Sequence, residues 1–262
     1  LNLTLGVLYK RSDGYHALDS IMQSIDLFDT LTIERASGIT VTCTGMLLPY
    51  DNTVRRAAER YRALTGRGAN IRVTKRIPAE AGMGGGSADA AAALIGMQKL
   101  YGEVDEKTLF EIGASVGADV PFCMRGGLQR AEGIGEALTP LNGPKLFFVV
   151  AKPAGGVSTK KLFSMLKLPR EMPDTAGCMR ALAENDAKAL APLLFNALEE
   201  PACELVPEIA EAKRGLLEAG ALAASMTGSG SAVFGLFLTR EQAEEALPKV
   251  GEYPFVRVCE SV

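Results

Sequence analysis

Four glycines fall within five residues of the segment Pro78-Ala79-Glu80-Ala81-Gly82-Met83-Gly84-Gly85-Gly86-Ser87-Ala88-Asp89-Ala90. A strand-like run precedes the segment and an alanine-rich run follows it. Glycine permits positive φ and lets another molecule approach the main chain closely. Ser87 is a favourable N-cap residue, so a helix is expected to begin there. The first N–H groups of a helix have no internal partner and form an anion site. Residues 78–90 are therefore read as a loop that holds nucleotide phosphates. The plainer reading is a flexible glycine linker, against which the packed helix directly behind it argues.

The two commonest nucleotide loops are excluded. A Walker A loop needs a Lys after its last Gly, but Ser87 and Ala88 follow Gly86. The dinucleotide pattern G-x-G-x-x-G fails from Gly82 and from Gly84, because Ser87 and Asp89 occupy the third glycine's place. That disfavours an oxidoreductase.

The 262 residues suggest one large or two modest domains, and 47% hydrophobic with 23% charged residues is ordinary for a globular protein. A net charge of −3 and the lack of a basic run leave nothing to attract nucleic acid. No apolar run approaches the ~20 residues of a membrane span. Cys43, Cys123, Cys178, Cys203 and Cys259 are scattered, without a C-x-x-C pair, which points to a reducing compartment and no metal cluster. No signal-peptide pattern is present, and the expected location is the cytoplasm. The sequence opens at Leu1 rather than Met, so residues ahead of it are expected.

Along the chain, 2–9 alternates as a strand and is followed by the turn Lys10-Arg11-Ser12-Asp13-Gly14, after which Tyr15-His16 opens the next segment. Strands are expected at 31–34, 39–42 and 70–77. Helices are expected at 52–64, with Asn52 or Thr53 as cap and Val54, Ala57, Ala58, Tyr61 and Leu64 on one face, then at 87–100 and 106–116. Residues 117–122 break the helical pattern, and short strands follow near 126–130 and 136–139. The apolar run Leu146-Phe147-Phe148-Val149-Val150 reads as a buried strand, and a domain boundary is placed just before it, dividing 1–144 from 145–262. The second part reads as strands at 145–152, 221–226, 231–238 and 254–259, with helices at 158–166, 176–198, 205–219 and 240–248. Without the inserted helices this is the β-α-β-β-α-β split arrangement, and the fold class is α+β.

Residue types suggest some roles before any comparison. Asp119 follows a helix and is flanked by Ala118 and apolar Val120-Pro121-Phe122. Partial dehydration there would raise its basicity, while a turn carboxylate capping nearby N–H groups is the alternative. His16 is the sole histidine and reads as structural or catalytic.

Four motifs stand in order: Arg11-Ser12-Asp13-Gly14-Tyr15-His16, Gly84-Gly85-Gly86-Ser87, Gly117-Ala118-Asp119-Val120-Pro121-Phe122 and Thr227-Gly228-Ser229-Gly230-Ser231. Together they resemble the GHMP kinase superfamily of galactokinase, homoserine, mevalonate and phosphomevalonate kinases. Within it the sequence is most similar to the 4-diphosphocytidyl-2-C-methyl-D-erythritol kinase family, across essentially the whole chain. The resemblance implies a two-domain architecture. An N-terminal ATP-binding domain of the ribosomal S5 domain 2 type would span 1–144, and a C-terminal ferredoxin-like, substrate-binding domain 145–262. It implies phosphorylation by ATP, with Mg²⁺, of the 2-hydroxyl of a cytidine diphosphate-linked methylerythritol, a step of the non-mevalonate isoprenoid route.

Carried over by residue, the resemblance makes Asp119 the base. It pairs this residue with a lysine two positions before the asparagine that matches Asn2, a position just ahead of Leu1; Lys10 is out of register. Pro78, Ala79, Glu80, Ala81, Gly82, Met83, Gly84, Gly85, Gly86, Ser87 and Ala88 would hold the phosphates, with Asn52 and Lys75 near the adenine. Glu80 and Asp89 would point away from the phosphates. Tyr15 would stack on cytosine, His16 would hydrogen-bond it or its neighbours, and Phe163 would close the other face. Asn2 would contact the methylerythritol hydroxyls, and Gly228, Ser229 and Gly230 would bring backbone to the substrate. Each has a plainer reading: a helix cap for Asn52, an exposed strand residue for Lys75, a core residue for Phe163, an edge-strand polar residue for Asn2, and a hairpin turn for 228–230. The Mg²⁺ ligands are unassigned, with Ser87 serving either the metal or the helix cap. Monomer and homodimer both stay open. A relative acting on homoserine or mevalonate, and a non-catalytic nucleotide-binding protein, are the alternatives.

Overall fold

In a computed structural model, which describes residues 1–168 and 171–262, the alternating run after Arg67 becomes the central strand of a three-stranded sheet. The chain divides into two units. The smaller comprises Leu27–Ile77 and Gly84–Arg125; the larger comprises Leu1–Asp26, Pro78–Met83 and Gly126–Val262. Neither unit follows the 144/145 boundary.

In the smaller unit, β5 (Gly68–Thr74) lies between β3 (Thr30–Ala36), antiparallel to it, and β4 (Ile39–Thr44), parallel to it. A parallel pair needs a crossover, which α1 (Thr53–Thr65) supplies. Asn52 caps α1 by accepting the Arg55 N–H at 3.0 Å, and Gly66 ends it at φ 73°. Val54, Ala57, Ala58 and Tyr61 are buried, but Leu64 is 62% exposed and does not share their face. Strand β5 stops three residues before Ile77 because Asp29 takes the N–H groups of Arg76 and Ile77 out of the ladder. The core gathers Val54, Ala58, Tyr61, Ile71, Val73, Leu94, Met97 and Leu109 from the sheet, α1, α2 (Gly85–Tyr101) and α3 (Glu106–Val116). A short α4 (Val120–Arg125) starts where the sequence reading sees only a break. Pro121 lies in its first turn, where a missing N–H costs nothing.

The larger unit contains two sheets. The first has the order β7-β6-β2-β1-β9. It joins β1 (Asn2–Lys10) and β2 (His16–Gln23) as a hairpin, then β6 (Leu128–Gly133) and β7 (Ala137–Pro140). On the far side of β1 lies β9, only Phe195–Asn196, running parallel. Residues 176–198 thus do not form one helix. Chain direction changes at Asn185, whose φ is 56°, and Asp186 caps a new start. The result is α6 (Thr175–Ala183), α7 (Ala187–Leu190), a 3-10 turn (Ala191–Leu193) and then β9.

The second sheet is antiparallel, order β10-β11-β8-β12, formed by β8 (Phe147–Lys152), β10 (Ala223–Met226), β11 (Val233–Phe237) and β12 (Phe255–Glu260). Helices α9 (Glu208–Glu218) and α10 (Arg240–Ala246) pack on it through Ile209, Ala212, Leu216, Ala243 and Ala246. This is the split β-α-β-β-α-β arrangement, with α5 (Thr159–Met165), α6, α7 and α8 (Glu199–Leu205) inserted after its first strand.

Asn196 shows why β9 matters. Its Nδ2 donates to Met226 O at 2.7 Å and Gly228 O at 2.9 Å, and its Oδ1 accepts the Leu198 N–H at 2.9 Å. Asn196→Ala strands buried backbone groups, each costing about 1–3 kcal/mol. Denaturant titration should show a loss of roughly 2–4 kcal/mol with an unchanged m-value.

Candidate active site

The glycine loop meets α2 three residues earlier than the serine suggests. Gly84, at φ 64° and ψ 22°, is the N-cap, and α2 begins at Gly85 with no side-chain cap. The expectation that Ser87 caps the helix is corrected: Ser87 lies inside the first turn. A left-handed cap is open to glycine at little cost. The first internal bond is Ala88 N–H to Gly84 O, 2.8 Å. The N–H groups of Gly85, Gly86 and Ser87 thus form the uncapped positive end of a 17-residue helix. Thr53 fixes this turn by donating to Gly86 O at 2.6 Å. Asn52 is committed to α1 through Arg55 and donates to Pro49 O at 2.8 Å.

Beneath the turn lies a buried ion group. Lys75 Nζ donates to Asp29 and, at 2.7 Å, to Asp89. Burial works to raise Asp29, but the Arg76 N–H, the Lys75 ammonium and the Ile77 N–H outweigh it and hold the carboxyl below the usual range. Burial pushes Asp89 up to about 6, with Lys75 pulling the other way, and its Oδ1 is buried without a partner. One ammonium thus serves two carboxylates, and burial, which alone would lower it, is overcome so that Lys75 stays charged. Asp29 has no sequence signature, since it reaches Lys75 across 46 positions.

Asp119 immediately precedes α4, its carbonyl accepting the Cys123 N–H at 3.0 Å. Its carboxylate faces Gly84: a Cβ built there would lie 4.0 Å from Oδ2. Nearby, a Cβ on Gly117 would lie 3.8 Å from Ser87 Oγ. The side chain of Asp119 keeps exposed surface, yet protein surrounds it densely enough that lost hydration pushes its carboxyl above the ordinary carboxylate range. An accessible carboxylate of raised basicity, beside an anion-binding helix start, can take a proton from a hydroxyl at a bound phosphoryl group.

The first half of the loop, 78–83, belongs to the larger unit and makes close backbone contacts there. Gly82, at φ 69°, lies against the turn 227–230: a Cβ would come within 2.6 Å of Gly230 N and closer still to Thr227 O. Ser231 N–H donates to Glu80 O at 3.2 Å and Ala232 N–H to Ala81 O at 3.1 Å. Asn2, only 8% exposed, accepts the Gly228 N–H at 3.0 Å and donates to Ser20 Oγ at 2.9 Å. Its amide therefore supports the turn. The side chain of Glu80 lies over Gly156, and its φ is 51°. Pro78 and Met83 are half-buried, Ala79 is exposed and Ala81 buried.

In the same unit the hairpin between β1 and β2 is closed by Asp13, which accepts the Tyr15 N–H at 3.1 Å and pairs with Arg11. This leaves Tyr15 60% exposed. His16 stacks on Phe163 of α5, ring centroids 4.9 Å apart and planes 29° from parallel. Burial, then the nearby Lys10, lower the His16 pKa, so the imidazole is neutral at pH 7. Ser229 Oγ meets Thr159 Oγ1, on α5, at 2.7 Å. The structure thus brings His16 and Phe163 together in one unit, with exposed Tyr15 preceding His16 in the chain, and Gly84–Ala88 with Asp119 in the other. Asn196, which holds the 227–230 turn, is absent from the sequence motifs, and Thr227 stands in one of them without an assigned role.

The family model for the GHMP kinases N terminal domain matches residues 52–127, and that for GHMP kinases C terminal matches 178–254. The chain is 44% identical over 256 residues to the 4-diphosphocytidyl-2-C-methyl-D-erythritol kinase of Carboxydothermus hydrogenoformans, covering 94% of this chain and 88% of that protein. It is similar, with TM-score 0.85 and 35% identity, to a crystal structure of 4-(cytidine 5'-diphospho)-2C-methyl-D-erythritol kinase, over 100% of this chain and 96% of the other. A homoserine kinase structure from Cytophaga hutchinsonii, 22% identical with TM-score 0.71 over 95% of this chain and 88% of its own, shares the fold. The chain belongs to the GHMP kinases and, among them, to the 4-diphosphocytidyl-2-C-methyl-D-erythritol kinase family.

Proposed function

We propose that this kinase transfers the γ-phosphoryl group of ATP to the 2-hydroxyl of 4-diphosphocytidyl-2-C-methyl-D-erythritol, in the cytoplasm. The observation that carries the choice of substrate is the aromatic set of Tyr15, His16 and Phe163. Homoserine and mevalonate offer no base to fill it. An exposed tyrosine ring and a neutral imidazole suit an uncharged cytosine ring, one by stacking and the other by hydrogen bonding. Phe163 lies against His16 and would turn to the base when it enters.

Residues 1–144 supply the phosphate loop and the base, together with Tyr15 and His16; residues 145–262 supply Phe163 and the 228–230 turn. The N–H groups of Gly85, Gly86 and Ser87 would bind phosphate oxygens, and the side chain of Glu80 is turned to Gly156. Lys75, held by Asp29 and Asp89, would brace the helix start from beneath. Asp119 would accept the proton as the substrate oxygen bonds to the γ-phosphorus and the bridging oxygen leaves with ADP. Asn2 would act through the turn it holds.

Mg²⁺ fits these residues without a protein cage. Among the described residues no group of three His, Cys, Asp or Glu side chains could hold a metal. Mg²⁺ usually keeps several waters and takes few protein ligands beside substrate phosphates. With Gly84 as cap, the Ser87 hydroxyl is left to be such a ligand. Bound there with ATP, the ion would neutralise charge on the phosphates.

Two variants test the reading with the cytidylyl substrate and ATP. Asp119→Asn should lower kcat by about 10²–10⁴-fold while ATP still binds; a rate near that of the parent excludes Asp119 as base. Because Asp119 must be ionised and its pKa is raised, kcat/KM should fall as pH drops through a value above the ordinary carboxylate range. Tyr15→Ala should raise KM for the cytidylyl substrate by about 5–150-fold, the equivalent of roughly 1–3 kcal/mol of stacking. The KM for ATP should stay within about twofold, and equal losses for both substrates contradict the pocket.

A further inference from the structure

Lys152 ends β8 and is only 8% exposed. A buried ammonium is costly unless its donors are satisfied. Here Nζ donates to Pro153 O at 2.9 Å and to Gly155 O at 3.3 Å. Burial lowers the lysine's pKa, and Glu80, the countercharge, works against that fall. The same Gly155 carbonyl accepts the Ser231 hydroxyl, while Ser231 N–H donates to Glu80 O at 3.2 Å. Gly156 passes so close under Glu80 that a Cβ there would lie 3.0 Å from Glu80 Cβ. Lys152 is therefore the charged centre of three converging segments of the larger unit: 78–83, 153–158 and 227–232.

The middle segment leads into the pocket wall. Ser158 caps α5, accepting the Lys161 N–H at 3.4 Å. Thr159, the first residue of α5, meets Ser229, and Phe163, one turn on, stacks on His16. The path from the ammonium to the aromatic ring is one short stretch of chain, 152–163, pinned at both ends. Nothing in the phosphoryl-transfer step uses Lys152.

We propose that Lys152 is a positioning residue for recognition of the cytidylyl group, holding the 153–158 segment against Glu80 so that α5 presents Phe163 to the base. This rests on the reading of Tyr15, His16 and Phe163 as the base pocket. Removing the charge and the donors would let that segment shift, which weakens the cytidylyl substrate and spares ATP.

The test is steady-state kinetics on the full-length enzyme with each substrate varied in turn, for Lys152→Met, Lys152→Gln and Tyr15→Ala. Lys152→Met should raise KM for the cytidylyl substrate about tenfold, with KM for ATP within about twofold and kcat within about threefold. Lys152→Gln keeps an N–H donor for the carbonyls and should recover part of the loss, leaving a rise of about threefold. An equal rise in both KM values, a fall in kcat alone, or no change overturns the proposal. Should the Met variant fail to fold, the Gln variant decides by the same split. If Tyr15→Ala raises the cytidylyl KM and neither Lys152 variant does, the positioning role falls and the pocket stands. If Tyr15→Ala leaves that KM unchanged, the pocket reading falls and the proposal with it.

Discussion

The contact between Gly82 and the 227–230 turn is one of main chain on main chain. A side chain at Gly82 would collide with Thr227 O and Gly230 N, and one at Gly228 would collide with Gly82. Two strands of evidence in the sequence, a glycine loop and a glycine turn 145 positions later, therefore describe a single packing event. Such an approach leaves backbone groups to be satisfied locally, because no side chain fills the space. Asn2 accepts from Gly228, Asn196 donates to Met226 and Gly228, and residues 231 and 232 donate to residues 80 and 81. The first half of the glycine loop is thereby fixed by contacts within the larger unit. The second half obeys a separate constraint, the left-handed cap at Gly84 that opens α2 without a side chain over its N–H groups.

Electrostatics in the smaller unit follow from placing two acids around one lysine. Lys75 cannot fully neutralise both Asp29 and Asp89, and the N–H groups of Arg76 and Ile77 decide in favour of Asp29. Asp89, with one oxygen unpartnered, is left the weaker acid. The Lys75 ammonium lies close to Gly85, where a built Cβ would lie 3.4 Å from Nζ, and the two carboxylates offset its charge. Asp119 stands apart from this cluster, and its basicity comes from lost hydration.

Elements with strong local signals were legible. Asn52, read with Thr53 as a possible cap, does open its helix, and the run at 146–150 reads as the buried strand it forms. The ferredoxin-like order of the second sheet followed from the sequence of its elements. Strand β2 was blurred because Asp19, Ser20 and Gln23 interrupt its alternation, yet they bond to Arg130, Thr4 and Val262 respectively. The break at Asn185 was hidden because a single left-handed residue leaves the helical stripe on either side intact. In the site, the apolar flanks of Asp119 left two readings open, a raised carboxylate and a capping turn residue, between which only the family resemblance chose. Asp29 and Asn196 could not be picked out, since each acts on residues distant in sequence, 46 and 30 positions away, and neither stands in a glycine motif.

The exposed ring of Tyr15 has an optical consequence. The 262 residues include six tyrosines and no tryptophan, so tyrosine emission here is not masked by indole. A hairpin closed by Asp13 holds the phenol out in water, where stacking with a nucleobase would quench it. Arrival of a cytosine ring would then be visible in the protein's own fluorescence, without a label and before any phosphoryl group has moved.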